Sequence, residues 1–176
     1  MATTSFAGTT LFGIKDVADV TLTPLSADGG ISLDLDSLKV SNIEFTAEEA
    51  FARGGHGNAK LIGWDYNREI TITLQDALLS MDSLGAIFGA TNSNTSVVIG
   101  PDTFPGYYSF SGTTYGKDKD GNDVVLTISA GKVKLSSNAT ISLEAEGDPT
   151  VFDMTITVLK DDQGNLMTIT GAYDTE

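Results

Sequence analysis

The sequence predicts a mainly β chain, an antiparallel β-sandwich or distorted barrel with one flanking α-helix over residues 76–88. Three observations carry this. Most of the chain divides into short runs that alternate apolar and polar residues, the period-two pattern of a half-buried strand. A single run, DALLSMDSLGAIFG, spaces its apolar residues near the helical period. Between the runs stand Gly, Asp and Asn, the residues that turns require.

The elements follow in order. Residues 1–17 are rich in Thr, Gly and Ala and read as an extended arm or a frayed terminus, followed by one domain over residues 18–176. ADVTLTP (18–24) is a short strand stopped by Pro24, and ADGG (27–30) is a turn. Residues 38–47 alternate, with Ile43 and Phe45 on one face and Val40, Asn42, Glu44 and Thr46 on the other. AEEAFAR (47–53) is either a helical turn or the strand running out, and Gly54, Gly55 and Gly57 then end the periodicity. Residues 59–64 resume as a strand, and Asp65-Tyr66-Asn67 reads as a turn. Residues 68–75 point Ile70, Ile72 and Leu74 inward and Glu69, Thr71, Thr73 and Gln75 outward.

The helix can be capped by Asp76 or Ser80, whose side-chain oxygens accept from free backbone N–H groups. Its core face is Leu78, Met81, Leu84 and Phe88, with Leu79 and Ile87 widening the stripe, and Gly89 ends it. Strands then follow at 96–99, 107–115, 123–130, 132–135, 139–146, 151–160 and 166–173. Hairpin turns are expected at Asp120-Gly121 and Ala130-Gly131, and DDQGN (161–165) joins the last two strands. Met154, Ile156, Val158, Met167 and Ile169 are placed on one face. Outward Thr and Ser recur, as in Thr71/Thr73, Thr127/Ser129, Thr155/Thr157 and Thr168/Thr170. They make either an ordinary solvent face or the lining of an aqueous channel.

Composition limits the function. The 176 residues hold 24 Asp and Glu against 10 Lys and Arg, a net charge of -14, and no Cys. Such a chain repels nucleic acid and anionic membranes, and it has no disulfide or thiolate metal site. The opening MATTSFAGTTLFG lacks the features of a signal peptide, and no apolar run is long enough to span a bilayer.

Catalytic constellations are not found. The single histidine, His56, lies in a glycine-rich loop that would hold a general base poorly. DKDGND (118–123) hints at a calcium loop, but Thr127 stands where the motif requires Glu. Carboxylate neighbours such as Glu48-Glu49 and Asp161-Asp162 read as solvated, so no enzyme, cofactor or metal site is expected.

KVSNIEFT, FARGGHGNAK, LIGWDYNREITITLQ and DALLSMDSLGAIFG, taken together, resemble the tail tube (major tail) proteins of long-tailed bacteriophages. The resemblance covers about a third of the chain, residues 43–90. It implies six-membered rings stacked into a tube, with strands of each copy joining an inner barrel. It also implies a long loop that reaches the neighbouring ring and orders on assembly. By position that stacking loop is 47–60, with Glu48, Glu49, Arg53, Gly54, Gly55, His56, Gly57 and Lys60 as its contact residues. Glu44, Glu69, Thr71, Thr73 and Gln75 would face the channel. The implied partners are further copies and other tail proteins (tape measure, terminator, baseplate or sheath), with DNA passing unbound and no membrane. The location would be the virion tail, after assembly in the host cytoplasm. A head decoration or other capsid-surface protein would share the acidity and β content. A carbohydrate-binding module would need Trp64, Tyr66, Tyr107 and Tyr108 as its platform.

Overall fold

The computed structural model describes residues 4–5, 8–14, 19–25, 32–35, 38–76, 80–93, 95–136, 140–141 and 152–174. In chain order the elements are β1 (Thr4–Ser5), β2 (Phe12–Ile14), β3 (Asp19–Pro24), β4 (Leu33–Leu35), β5 (Leu38–Gly54), β6 (Ala59–Asp76) and α1 (Met81–Phe88). Then come β7 (Thr91–Ser93), β8 (Ser96–Val98), β9 (Tyr107–Asp118), β10 (Asp123–Leu135), β11 (Thr140–Ile141), β12 (Phe152–Val158) and β13 (Thr168–Tyr173). The expected turn at 27–30 and most of the expected strand at 139–146 lie outside the described residues.

Among the described residues, an 11-stranded antiparallel sheet follows the path β4-β3-β9-β10-β12-β6-β5, and β7 pairs with β8 apart from it. The path has two free ends, so the sheet is open and is not a closed barrel. Leu33 and Leu35 of β4 nonetheless share one core with Ile70, Ile72 and Leu74 of β6. Strands so far apart in the path can share a core only if the sheet curls over it. Period two supplies that core: Phe152, Met154, Ile156 and Val158 are buried along β12, while Asp153 and Thr155 are exposed. Each such apolar side chain contributes about 1.5–3 kcal/mol on burial.

β10 sets the curl. The turn expected at Ala130-Gly131 is absent, and the strand runs through it with a register shift between Ala130 and Val133. Turn-forming residues here make a bulge, which bends a strand without reversing it. Before the bulge β10 pairs with β13 (Ser129 opposite Thr168); after it, with β12 (Val133 opposite Val158). The 161–165 connection therefore joins two strands that lie end to end along β10, and they do not form a hairpin. The expected common face holds for Met154, Ile156, Val158 and Met167, which lie in or against the core, and fails at Ile169, which is 56% exposed. On the other edge of β9, β3 and β2 lie in series. There Gly116 is required, because a Cβ would strike the Gly13 carbonyl oxygen. Within the expected N-terminal arm, β1 pairs with β13 and β2 with β9, so both segments are tied to the body sheet.

The helix is shorter than expected. Asp76 is still paired with Leu38 and Phe152, so β6 extends through the predicted helix start. Ser80 is the cap, and its Oγ accepts from the Ser83 N–H at 2.9 Å. Gly89 ends α1 at φ 63, where a Cβ would strike the Phe104 carbonyl. The buried face is Ser83, Gly85, Ala86 and Ile87. Leu84 and Phe88 are half-buried, Met81 is exposed, and Leu78 lies outside the described residues. The later start recentres the stripe on Ala86 and Ile87, which join the main core.

Candidate functional site

β5 and β6 pair from Leu38 opposite Asp76 to Gly54 opposite Ala59. The expected loop at 47–60 is thus mostly strand. Only residues 55–58 make the turn, with Gly55, Gly57 and Asn58 at φ 77, 91 and 53. Glycine and asparagine accept this left-handed backbone at low cost, so the local signal was real but confined to the tip. The turn expected at residues 65–67 is also a bulge. Asn67 sits at φ 50, and the register shifts from Thr46–Glu69 to Glu48–Tyr66. Beyond it the pair continues as a free ribbon for about 25 Å at the usual strand rise.

The base of the pair carries the first group of predicted residues. Ile70, Ile72 and Leu74 face the core, so Glu69, Thr71, Thr73 and Gln75 face outward. Glu44 lies opposite Thr71, and Thr46 opposite Glu69. β12 extends this face: Thr73 is opposite Thr155, Thr71 opposite Thr157, and the Gln75 Nε2 donates to Asp153 Oδ1 at 2.8 Å. One row crosses four strands as Glu44, Thr71, Thr157 and Lys134. The structure therefore brings all five proposed channel residues onto one polar face.

That face also holds residues the sequence reading missed. Lys134 and Lys132 flank Tyr107, with Nζ atoms 5.7 and 4.7 Å from the ring centroid. Lys132 and Tyr107 border an open recess of about 740 Å³ with Leu25, Asp161, Asp162 and Gln163. Splitting β10 in two at Ala130-Gly131 removed the alternation that would have placed Lys134 beside Thr157. The face grades from carboxylates on β5–β6, through hydroxyls, to ammonium groups on β10.

The ribbon carries the second group. Glu48 accepts from Asn67 Nδ2 at 3.3 Å. Glu49 stands opposite Asp65, and Arg53 opposite Lys60. Like charges directly across a strand pair are unfavourable. Gly55, His56 and Gly57 form the exposed tip, with Gly54 at its base. The ribbon also exposes Phe51, Leu61, Ile62, Trp64 and Tyr66, and Phe45 is exposed at its base; of these, the sequence reading gave no role to Phe51, Leu61 and Ile62. Trp64 and Tyr66 lie on β6, Tyr107 lies on β9, and Tyr108 is buried in the core, so these four do not gather into one platform.

The β9–β10 turn shows how the DKDGND carboxylates are used. Asp118 Oδ1 accepts from the Asp120 and Asn122 N–H groups at 2.8 and 2.9 Å, and Oδ2 from Asn122 Nδ2 at 2.8 Å. The Asn122 side-chain bond, with the backbone bonds, holds the Asp118 carboxyl below its ordinary range. Asp120 pairs with Lys119, and Asp123 with Lys117. Among the described residues no group of three or more His, Cys, Asp and Glu is placed to hold a metal ion. Among the described residues no helix is long and apolar enough to cross a membrane.

Among the described residues, an open, curled β-sheet with one short helix, a polar outer face and a projecting ribbon defines a chain of the β-structural class. The sequence matches the YomU/Tube protein family over residues 12–94 and 88–169, and the chain belongs to that family. No curated protein matches it significantly.

Proposed function

We propose that this chain is a structural subunit of a bacteriophage tail tube, with no catalytic activity of its own. Copies form stacked rings, hexameric by the resemblance, around a channel that conducts DNA during ejection. Its partners are further copies and the other tail proteins, and its place is the virion tail. Membership of a tube protein family supports the class. The observation that carries the mechanism is the outward face of β5, β6 and β12, where Glu44 and Glu69 stand beside the Thr71–Thr73–Thr155–Thr157 hydroxyls.

Such a face suits a conduit. A basic wall would neutralise phosphates, release counterions and hold the duplex. Carboxylates repel phosphate, and hydroxyls keep a water layer on which the duplex slides. Lys132 and Lys134 sit on β10, three strands from Glu44, leaving the β5–β6 side acidic.

Negative-stain microscopy of the purified protein tests the assembly: hollow tubes are expected, and compact trimers or monomers would favour a capsid-surface role. Glu44→Lys with Glu69→Lys tests the channel. Tubes should still form while DNA ejection slows, and fully infectious virions with both substitutions would remove these residues from the lumen.

A further inference from the structure

We infer that Lys132 and Lys134, held at the ring of Tyr107, form a phosphate-binding site that engages duplex DNA transiently inside the channel and slows its passage. This rests on the tube reading and adds to it a hold that an acidic wall cannot supply. Strand register places the pair on the channel face. Lys134 is directly opposite Thr157, Thr157 opposite Thr71, and Thr71 opposite Glu44, so Lys134 shares the side assigned to the lumen. Tyr107 stands opposite Lys134 on β9, and it draws Lys132 to the same place. The Lys132 and Lys134 Nζ atoms lie 4.7 and 5.7 Å from its ring centroid. An aromatic face attracts an ammonium group without neutralising it, so the two charges are positioned and still available.

The carboxylates around the pair do not cancel it. Among the described residues, Lys117 and Lys119 are paired with Asp123 and Asp120, whereas neither Lys132 nor Lys134 makes an ion pair. Asp161 borders the same recess as Lys132. Its Oδ1, however, accepts from the Gln163 and Asn165 N–H groups at 2.9 and 2.7 Å, and its Oδ2 lies against Gly131. That carboxylate is occupied by its own turn. Asp162 is exposed at the margin of the recess, where water screens it. Glu44 is three strand spacings from Lys134, about 14 Å, which exceeds the Debye length of about 8 Å at physiological salt. Position then names the occupant. A side chain on the lumen face meets what the channel carries, and that cargo is a polyanion. Each ammonium that meets a phosphodiester releases a condensed counterion, which favours the contact. Repeated in every copy, the pair sets a positive band between acidic stretches, and the duplex passes against intermittent drag.

The charge change that tests this is opposite to the one at Glu44 and Glu69. Virions carrying Lys132→Gln with Lys134→Gln should eject DNA severalfold faster than wild type at about 0.01 M salt, where the Debye length is about 30 Å. At about 1 M salt, where it is about 3 Å, the two rates should converge. Lys132→Arg with Lys134→Arg keeps both charges and should keep the wild-type rate. A Gln variant that ejects at the wild-type rate in low salt would overturn the inference. So would an Arg variant as fast as the Gln variant, since the effect would then lie in packing and not in charge. Unaltered virions give a second readout. Halted midway through ejection and treated with formaldehyde, they should yield DNA crosslinked to Lys132 and Lys134. Crosslinks confined to other lysines of the chain would overturn the site and leave the tube reading standing. Tails that lack this chain altogether would remove the tube reading itself.

Discussion

The β9–β10 hairpin and the β5–β6 hairpin are both long antiparallel pairs closed by glycine-containing turns, yet one is embedded and the other largely bare. β9 is flanked by β3 and β2, and β10 by β12 and β13, so both edges of that pair are hydrogen-bonded. Val124, Leu126, Ala130, Val133 and Leu135 are buried along β10. Among the described residues, β6 has a second neighbour only over residues 71–76, where it meets β12, and β5 ends the sheet path. From Glu44 to Glu69 nearly every residue is exposed. The lesson is that strand pairing and strand stability are separate properties. An isolated two-stranded ribbon is marginal in water, so the distal β5–β6 segment depends on what covers it.

Three measurements break or sharpen this contrast. The largest effect should come from the body: Phe152→Ala empties a fully buried site and should cost about 3–5 kcal/mol in denaturant unfolding. An intermediate effect should appear at the embedded hairpin's turn. The Asp118 carboxyl is held below its ordinary range in the folded chain. Its stabilisation is therefore complete above the unfolded value of about 4 and is lost as pH falls through the depressed folded value. Melting temperature should decline in that acid window, and Asp118→Asn should flatten the decline; an unchanged acid limb would show that the turn does not depend on the anion. The smallest effect belongs to the ribbon. Trp64→Ala should change stability by no more than about 0.5 kcal/mol, because the side chain is 53% exposed. A core-sized loss would mean that the ribbon is packed in the monomer.

Much of the fold was legible, for identifiable reasons. Ile70, Ile72 and Leu74 alternate with Glu69, Thr71, Thr73 and Gln75, and the structure buries the first set. Ser80 and Gly89 mark the helix ends by local chemistry. Asp120-Gly121 makes the expected turn, with Gly121 at φ 90. The misreadings share a cause. Ala130-Gly131 and Asp65-Tyr66-Asn67 contain residues that ease departure from regular strand, and a bulge uses that freedom as readily as a reversal. Whether the chain turns back or continues is decided by the strands beside it. The helix start moved for a related reason: Asp76 can begin a helix, but here it lies between Leu38 and Phe152.

The candidate site divides in the same way. Glu44, Glu69, Thr71, Thr73 and Gln75 could be assigned to one face because strand period alone fixes the side of each residue. Lys134 joined them only when β10 proved continuous and β12 carried the row across. By itself the sequence determined the β class, the polar and apolar sides of its strands, the helix caps and a charge that disfavours DNA binding, since all follow from local periodicity and composition. Tertiary structure decided that β10 bends and serves two neighbours, that the sheet stays open, and that 47–60 is mostly paired ribbon. These outcomes depend on hydrogen-bond partners distant in sequence, and local propensity does not specify which strand will lie beside another.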